Sequence, residues 1–265
     1  MTIPRVVCAI THTDEITLGL CRQALERQGI AAADVRVISN VRPASSAFNQ
    51  CLDFALEKGA DILLHVAADC ILSPGGVAAI TRRMDLETDY AVVAQGFDII
   101  NGSDAPIGAW ALNMRIIADR YRFRDAFKMD LDFCERIEAE TSFVRKKTFK
   151  RVELGYHHPI WLPREFYQKF RYNAPKYRGK IIRKHMEFLD RCLDLNPDNK
   201  VLQIGVVGLK RGSAEPHDLG GPRSDAFESE WRDASSLVGL EGESFSPIIK
   251  SSLIWQNHFS ARPKT

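Results

Sequence analysis

The chain has no C-x-x-C pair among its six cysteines, no G-x-G-x-x-G and no G-x-x-x-x-G-K-[ST]. It also has no apolar run near the ~20 residues that a membrane-spanning helix needs. Each absence excludes something. Without paired cysteines there is no disulfide framework or zinc knuckle to read, and Cys8, Cys21, Cys51, Cys70, Cys134 and Cys192 sit mostly among apolar neighbours, as reduced core residues do. Without a glycine-rich strand–helix turn, a dinucleotide-binding fold and a P-loop enzyme are disfavoured. The opening "MTIPRVVCAI" lacks the basic and long apolar stretches of an export signal, so a reduced, cytoplasmic protein is expected. The net charge of +2 carries no excess suited to a nucleic-acid backbone, and no nucleic-acid partner is expected.

What is present reads as globular protein. Hydrophobic residues make up 45% of the 265 and charged residues 26%. That length accommodates one large α/β domain, or a domain of about 150–200 residues with a tail.

The hydrophobic periodicity alternates between two kinds of element. Val6–Ile10 is a short buried strand, and "THTDE" after it is a polar turn with N-cap candidates in Thr13 and Asp14. Ile16, Leu20, Cys21, Ala24 and Leu25 then recur at helical spacing up to Gly29. "VRVIS" (35–39) is a second strand. Phe48, Cys51, Leu52, Ala55 and Leu56 form a helical stripe closed by Gly59. "DILLHVA" is a third strand, a helix starts at Pro74, and "YAVVAQGF" (90–97) is a fourth strand. This order predicts an α/β fold with a mostly parallel central sheet and right-handed crossovers.

Ligands in such sheets bind at the carboxyl ends of the strands. Three polar clusters fall there: Thr11 and Asp14 after the first strand, Asn40 and Arg42 after the second, and Asp69 after the third. His65 alternates into the sheet interior and reads as core. Beyond residue 100, "NGSDAPIGAW" is loop-like, "DLDFCERIEAE" (130–140) is an amphipathic helix with acid in its first turn, and "RVELGYHHPIW" is a strand running into a loop. Residues 178–195 form a helix, and the Gly-, Pro- and acid-rich stretch after Gly212 reads as a tail or linker.

From about residue 4 to 160, this layout resembles the GT-A fold glycosyltransferases of the broad family-2 group. There the third strand runs into a D-x-D, and a later E-D motif opens a helix containing Arg. Here the corresponding stretches are "AADCILSP" and "MDLDFCERIEAE", with Arg136 in the expected place. Ala67 stands where the first Asp of D-x-D would be, Met129 where the Glu before Asp130 would be, and Asn40 where an Asp is usual.

The resemblance implies an inverting transfer of a sugar from a nucleoside-diphosphate sugar, a UDP-sugar being the expected donor, to a hydroxyl of a glycan or lipid-linked acceptor. Bacterial surface glycan or lipopolysaccharide assembly is the implied setting. The leaving diphosphate calls for a divalent cation, Mn²⁺ or Mg²⁺. The implied roles are Asp130 as base, and Asp69 with His157 or His158 on the metal. Thr11, Asp14, Asn40, Arg42 and Asp69 fall to the nucleotide, and Trp110 and Asp132 to the acceptor. The implied domains are 1–160 for the nucleotide sugar, 161–212 for a basic, aromatic helical extension on the acceptor side, and 213–265 for a tail or C-terminal segment.

Residues 164–184, "REFYQKFRYNAPKYRGKIIRK", interleave basic residues with aromatics. That pattern suits peripheral contact with an anionic membrane at the inner face, and equally a solvated helix pair with inward aromatics. A non-catalytic relative that binds nucleotide sugars with a degenerate D-x-D is the competing reading. A nucleotidyltransferase would open with a Gly-rich, basic loop after the first strand, which "ITHTDE" lacks.

Overall fold

The computed structural model describes residues 3–13, 15–98, 103–126, 128–147, 154–157, 163–176, 180–214 and 224–240. Two compact units divide the chain: Met1–Ile99 with Ser103–Pro159, and a second unit from residue 160 onward.

In the first unit the elements are β1 (Val6–His12), α1 (Leu18–Glu26), β2 (Val35–Ser39), α2 (Ala44–Glu57), β3 (Ile62–Ala67), β4 (Cys70–Leu72) and α3 (Gly76–Arg83). They continue with β5 (Asp89–Asp98), β6 (Ser103–Asn113), α4 (Met114–Ile117), α5 (Met129–Glu140), β7 (Val144–Lys147) and β8 (Gly155–His157). The strands form an 8-stranded sheet in the order β2-β1-β3-β6-β5-β8-β4, with β7 also paired to β5. Strands β1, β2, β3, β5, β7 and β8 run one way, and β4 and β6 run against them. The expected mostly parallel sheet flanked by helices is therefore present, with β6 inserted between the third and fourth strands read from the sequence.

Each face of the sheet carries its own core, because side chains alternate along a strand. Val7, Ala9 and Leu63 pack with α2, α4 and α5, whereas Cys8, Ile10, Ile62 and Leu64 pack with α1 and α3. Helix α2 forms where the sequence puts its apolar stripe: Cys51, Leu52 and Ala55 are buried, with Ala47 and Phe54 beside them. It ends at Gly59, whose φ of 59° closes the helix while the Ala60 N–H reaches back to the Ala55 carbonyl at 3.0 Å.

Residues 103–110, read from the sequence as a loop, instead belong to β6. The small residues and Pro106 that look loop-like suit a strand squeezed between two others. Ala109 and Ala111 are fully buried, and a Cβ added at Gly108 would lie 2.7 Å from the Ala67 Cβ. Pro106 faces Gln95 beside a register shift in β5, where a missing N–H is tolerated.

The second unit contains α6 (Pro163–Lys176), α7 (Lys180–Leu195), α8 (Lys200–Ser213) and α9 (Ser224–Leu237). Part of the segment expected as a tail is thus helical. Asn199 caps α8 by accepting from the Val201 and Leu202 N–H groups at 3.0 and 3.2 Å. Gly205 and Gly208 let α8 approach α6 closely, since a Cβ on Gly208 would lie 2.7 Å from the Tyr167 carbonyl oxygen.

Within the basic, aromatic stretch, three of the aromatics turn inward. Phe166, Tyr167 and Phe170 are buried, and the largely buried Arg171 forms a bidentate pair with Glu230 at 2.9 and 3.1 Å. Arg164 pairs with Glu228. Arg171 and Glu230 thus hold α6 to α9, whereas Arg164 and Glu228 are about half exposed, at 49% and 51%. No helix among the described residues is long and apolar enough to cross a membrane.

Candidate active site at the strand ends

The β3–β4 turn places Asp69, and neighbouring elements bolt that turn down. The Ala68 N–H donates to the Thr11 carbonyl at 2.9 Å. The buried Thr17 hydroxyl donates to the Ala68 carbonyl at 2.7 Å. Ala68, next to Asp69, is thus held by β1 and by the loop that follows it.

Strand β4 pairs antiparallel with β8, putting Cys70 opposite His157, and β5 pairs parallel with β8, putting Asp98 opposite the same His157. The imidazole therefore sits between two carboxylates. Its Nδ1 lies 2.8 Å from Asp98 Oδ2, and its Nε2 lies 3.5 Å from Asp69 Oδ1. The side chains of Asp98, His157 and Asp69 are 7%, 16% and 21% exposed, so the row runs from the interior to the rim. Gly108 keeps the space beside it open: a Cβ there would come within 3.7 Å of His157 Nε2.

Under the rim, His65 Nε2 lies 3.0 Å from the Thr11 hydroxyl, and its ring packs on Phe48 with centroids 4.3 Å apart. His65 is buried, as expected of a core residue. Burial pushes its pKa down to about 4 against the opposing pull of Asp69, so the ring is neutral. Glu15 belongs to the same neighbourhood. Its carboxyl is pushed up, first by burial and then in part by the nearby Asp69, while the Thr13 N–H bonded to it pulls the other way.

Of the residues anticipated from sequence, the structure brings Asp69 and His157 together and puts Thr11 beside them through His65. Asn40 follows β2 in the left-handed conformation (φ 56°), with its N–H bonded to the His12 carbonyl at 2.9 Å. Arg42 is exposed. Trp110 lies across from His65 in the β3–β6 register and packs part of its surface on the core. Asp130 is exposed in the first turn of α5. Asp132 is engaged within that helix by Arg136 at 3.1 Å, and Arg136 also donates to the Arg122 carbonyl at 2.6 Å. Met129 packs against the core. Asp14 and His158 lie outside the described residues.

Sequence reasoning passed over Asp98 and Glu15. Asp98 ends an apolar strand just as Asp69 follows one, so the strand-end criterion was available for it. Glu15 stands in the polar turn after β1 that the same criterion had already marked.

A divalent cation can be tested against this donor set. Asp69 Oδ1 and His157 Nε2 are 3.5 Å apart, less than twice a typical metal–donor distance of about 2.1 Å, so both can reach one ion. An oxygen and an imidazole nitrogen form a mixed pair that divalent first-row metals accept. Among the described residues, no group of three or more His, Cys, Asp or Glu side chains is arranged to hold a metal. The rest of the coordination would therefore fall to diphosphate oxygens and water, which is ordinary for ions bound with a nucleotide.

No protein-family model matches the sequence, and no curated protein matches it. Among solved structures, the chain is similar to the mannosyltransferase PcManGT from Pyrobaculum calidifontis, in complex with GDP-Man and Mn²⁺. That likeness has 13% identity and a TM-score of 0.44, and covers 88% of this chain and 80% of that one. It is similar to TarS 1–349 of S. aureus at 10% identity and a TM-score of 0.38, covering 95% and 78%. HddC from Yersinia pseudotuberculosis matches at 14% identity and a TM-score of 0.38, covering 54% of this chain and 89% of that one.

Proposed function

We propose that the protein is an inverting glycosyltransferase that moves a sugar from a nucleoside-diphosphate sugar to a hydroxyl of a glycan or lipid-linked acceptor. The observation that carries this reading is the meeting of Asp69 and His157, 3.5 Å apart, at the strand-end rim of an α/β sheet. The residue pattern that resembles family-2 GT-A enzymes supplies the reaction class.

Asp69 and His157 would hold a divalent cation, Mn²⁺ or Mg²⁺, which when bound offsets the charge that develops on the leaving diphosphate. Thr11, Asn40 and Arg42, at the ends of β1 and β2, bind the nucleotide in this reading. Asp130 takes the proton from the acceptor hydroxyl as its oxygen attacks the anomeric carbon. The glycosidic bond to the diphosphate breaks in the same displacement, which inverts the anomeric centre. Trp110 offers a face on which an acceptor sugar can stack. For a lipid-linked acceptor, the exposed Arg183 and Lys184 offer charge to an anionic surface, and flotation with anionic vesicles at low salt reads this.

The test is calorimetric titration of UDP and GDP, each with and without Mn²⁺, into wild type and Asp69→Ala. Binding that requires Mn²⁺ and disappears in the variant is the expected result. Binding that ignores both the ion and the substitution would remove Asp69 from the site. The second reading, a non-catalytic nucleotide-sugar binder, is favoured by Ala67 at the first position of the D-x-D, and it predicts binding with no turnover on any acceptor.

A further inference from the structure

We infer that Asp98 is a positioning residue, which fixes the tautomer of His157 so that Nε2 presents its lone pair beside Asp69. The inference rests on the glycosyltransferase reading for what is bound there, and on geometry for the rest.

A single proton lies in the 2.8 Å contact between His157 Nδ1 and Asp98 Oδ2. An ionised carboxylate only accepts hydrogen bonds, so that proton belongs to Nδ1. In the neutral ring the remaining lone pair then sits on Nε2, and Nε2 is the atom that lies 3.5 Å from Asp69 Oδ1. Nε2 thus presents its acceptor side where Asp69 stands, the pair to which the glycosyltransferase reading assigns the cation.

The fold makes this orientation rigid. Asp98 and His157 are partners in the β5–β8 register, and His157 and Cys70 are partners in the β4–β8 register. The imidazole thus hangs from the centre of three paired strands, with Asp98 behind it and Asp69 ahead. Asp98 is buried, so its contact with Nδ1 is sheltered from competing water. An outer carboxylate that holds the far nitrogen of a ligating histidine orients the ring and raises its basicity. Asp98 has the placement for both effects while never touching the donor.

The experiment has two arms on the full chain. In the first, histidine is labelled with ¹⁵N, and the tautomer of His157 in the metal-free protein at pH 7.5 is read from long-range ¹⁵N–¹H correlations. The signal is assigned by its loss in His157→Gln. The expected result is the Nδ1–H tautomer. An Nε2–H or doubly protonated ring overturns the inference, whatever the protein binds.

In the second arm, Mn²⁺ is titrated by electron paramagnetic resonance in the presence of UDP or GDP. Asp98→Asn keeps the shape, but its amide can donate to Nδ1 and release the other tautomer. Mn²⁺ affinity should fall about 10- to 100-fold, with the melting temperature and metal-free nucleotide affinity held. Unchanged Mn²⁺ affinity in a folded variant overturns the inference. If neither nucleotide binds wild type, the glycosyltransferase reading fails, and the tautomer measurement still decides the role of Asp98.

Discussion

Gly108 offers a quantitative test of how the site floor is built. In Gly108→Ala the new methyl would lie 2.7 Å from the Ala67 Cβ. Carbon atoms prefer about 3.5–4.0 Å, so the overlap is close to 1 Å. Neither partner is the flexible end of a side chain. Ala67 is the last residue of β3, two residues before Asp69, and β6 is pinned between β3 and β5. Relief must come from separating the strands, and overpacking of this kind costs about 1–3 kcal/mol. For a protein of this size each kcal/mol lowers the melting temperature by about 2–4 °C, so a drop of roughly 2–12 °C is expected in a thermal scan.

A second substitution separates this cause from any general intolerance. Ala67→Gly removes the opposing methyl and by itself should cost about 0.5–1 kcal/mol for the added strand flexibility. In the double variant the clash is gone, so most of the Gly108→Ala penalty should vanish. The double-mutant cycle should show a coupling of about 1–2 kcal/mol. Additive effects would refute the proposed packing of Ala67 on Gly108. The same scan should be paired with the nucleotide titration, because the methyl would also come within 3.7 Å of His157 Nε2. Weaker Mn²⁺-dependent binding in Gly108→Ala, restored in the double variant, would tie the strand spacing to the site.

Two further outcomes are expected. Asp130→Asn should abolish sugar transfer while leaving nucleotide affinity within about twofold, as measured by turnover and calorimetry on one preparation; retained turnover would exclude Asp130 as the base. His65 links stability to pH. Burial lowers its folded-state pKa from 6.5 to about 4, so the unfolded chain takes up the proton first. Its share of the stability is complete above pH 6.5, falls as the pH drops from 6.5 towards 4, and amounts to about 3 kcal/mol over that window. Urea titrations at pH 7 and pH 4.5 should show a smaller acid loss for His65→Gln than for wild type; equal losses would show that His65 is not buried neutral.

The antiparallel geometry of the site follows from an element that the sequence disguises. Strand β6 carries Ala105, Pro106, Gly108, Ala109 and Ala111, which signal a loop when read locally. Strand β8, three residues long, falls within the stretch 151–161 read as a strand running into a loop. His157, on β8, borders Asp69, and Gly108, on β6, borders Ala67, because β4 and β6 run against the other strands.

Local chemistry was enough to specify β1, α1, β2, α2, β3 and β5. Each carries its own apolar period, and α1 and α2 are followed by glycines with positive φ. It also marked Asp69, since a carboxylate just after a buried strand has few other reasons to be there. Pairings between distant segments decided the rest: Asp98, 59 residues from His157 in the chain, holds its ring. The Asp132–Arg136 pair, by contrast, is local to α5, one helical turn apart. Tertiary packing likewise turned the aromatics of α6 inward. Periodicity depends on neighbours in the chain, so it is written locally. A site made at the meeting of three strands depends on sheet order and register, which only the folded sheet sets.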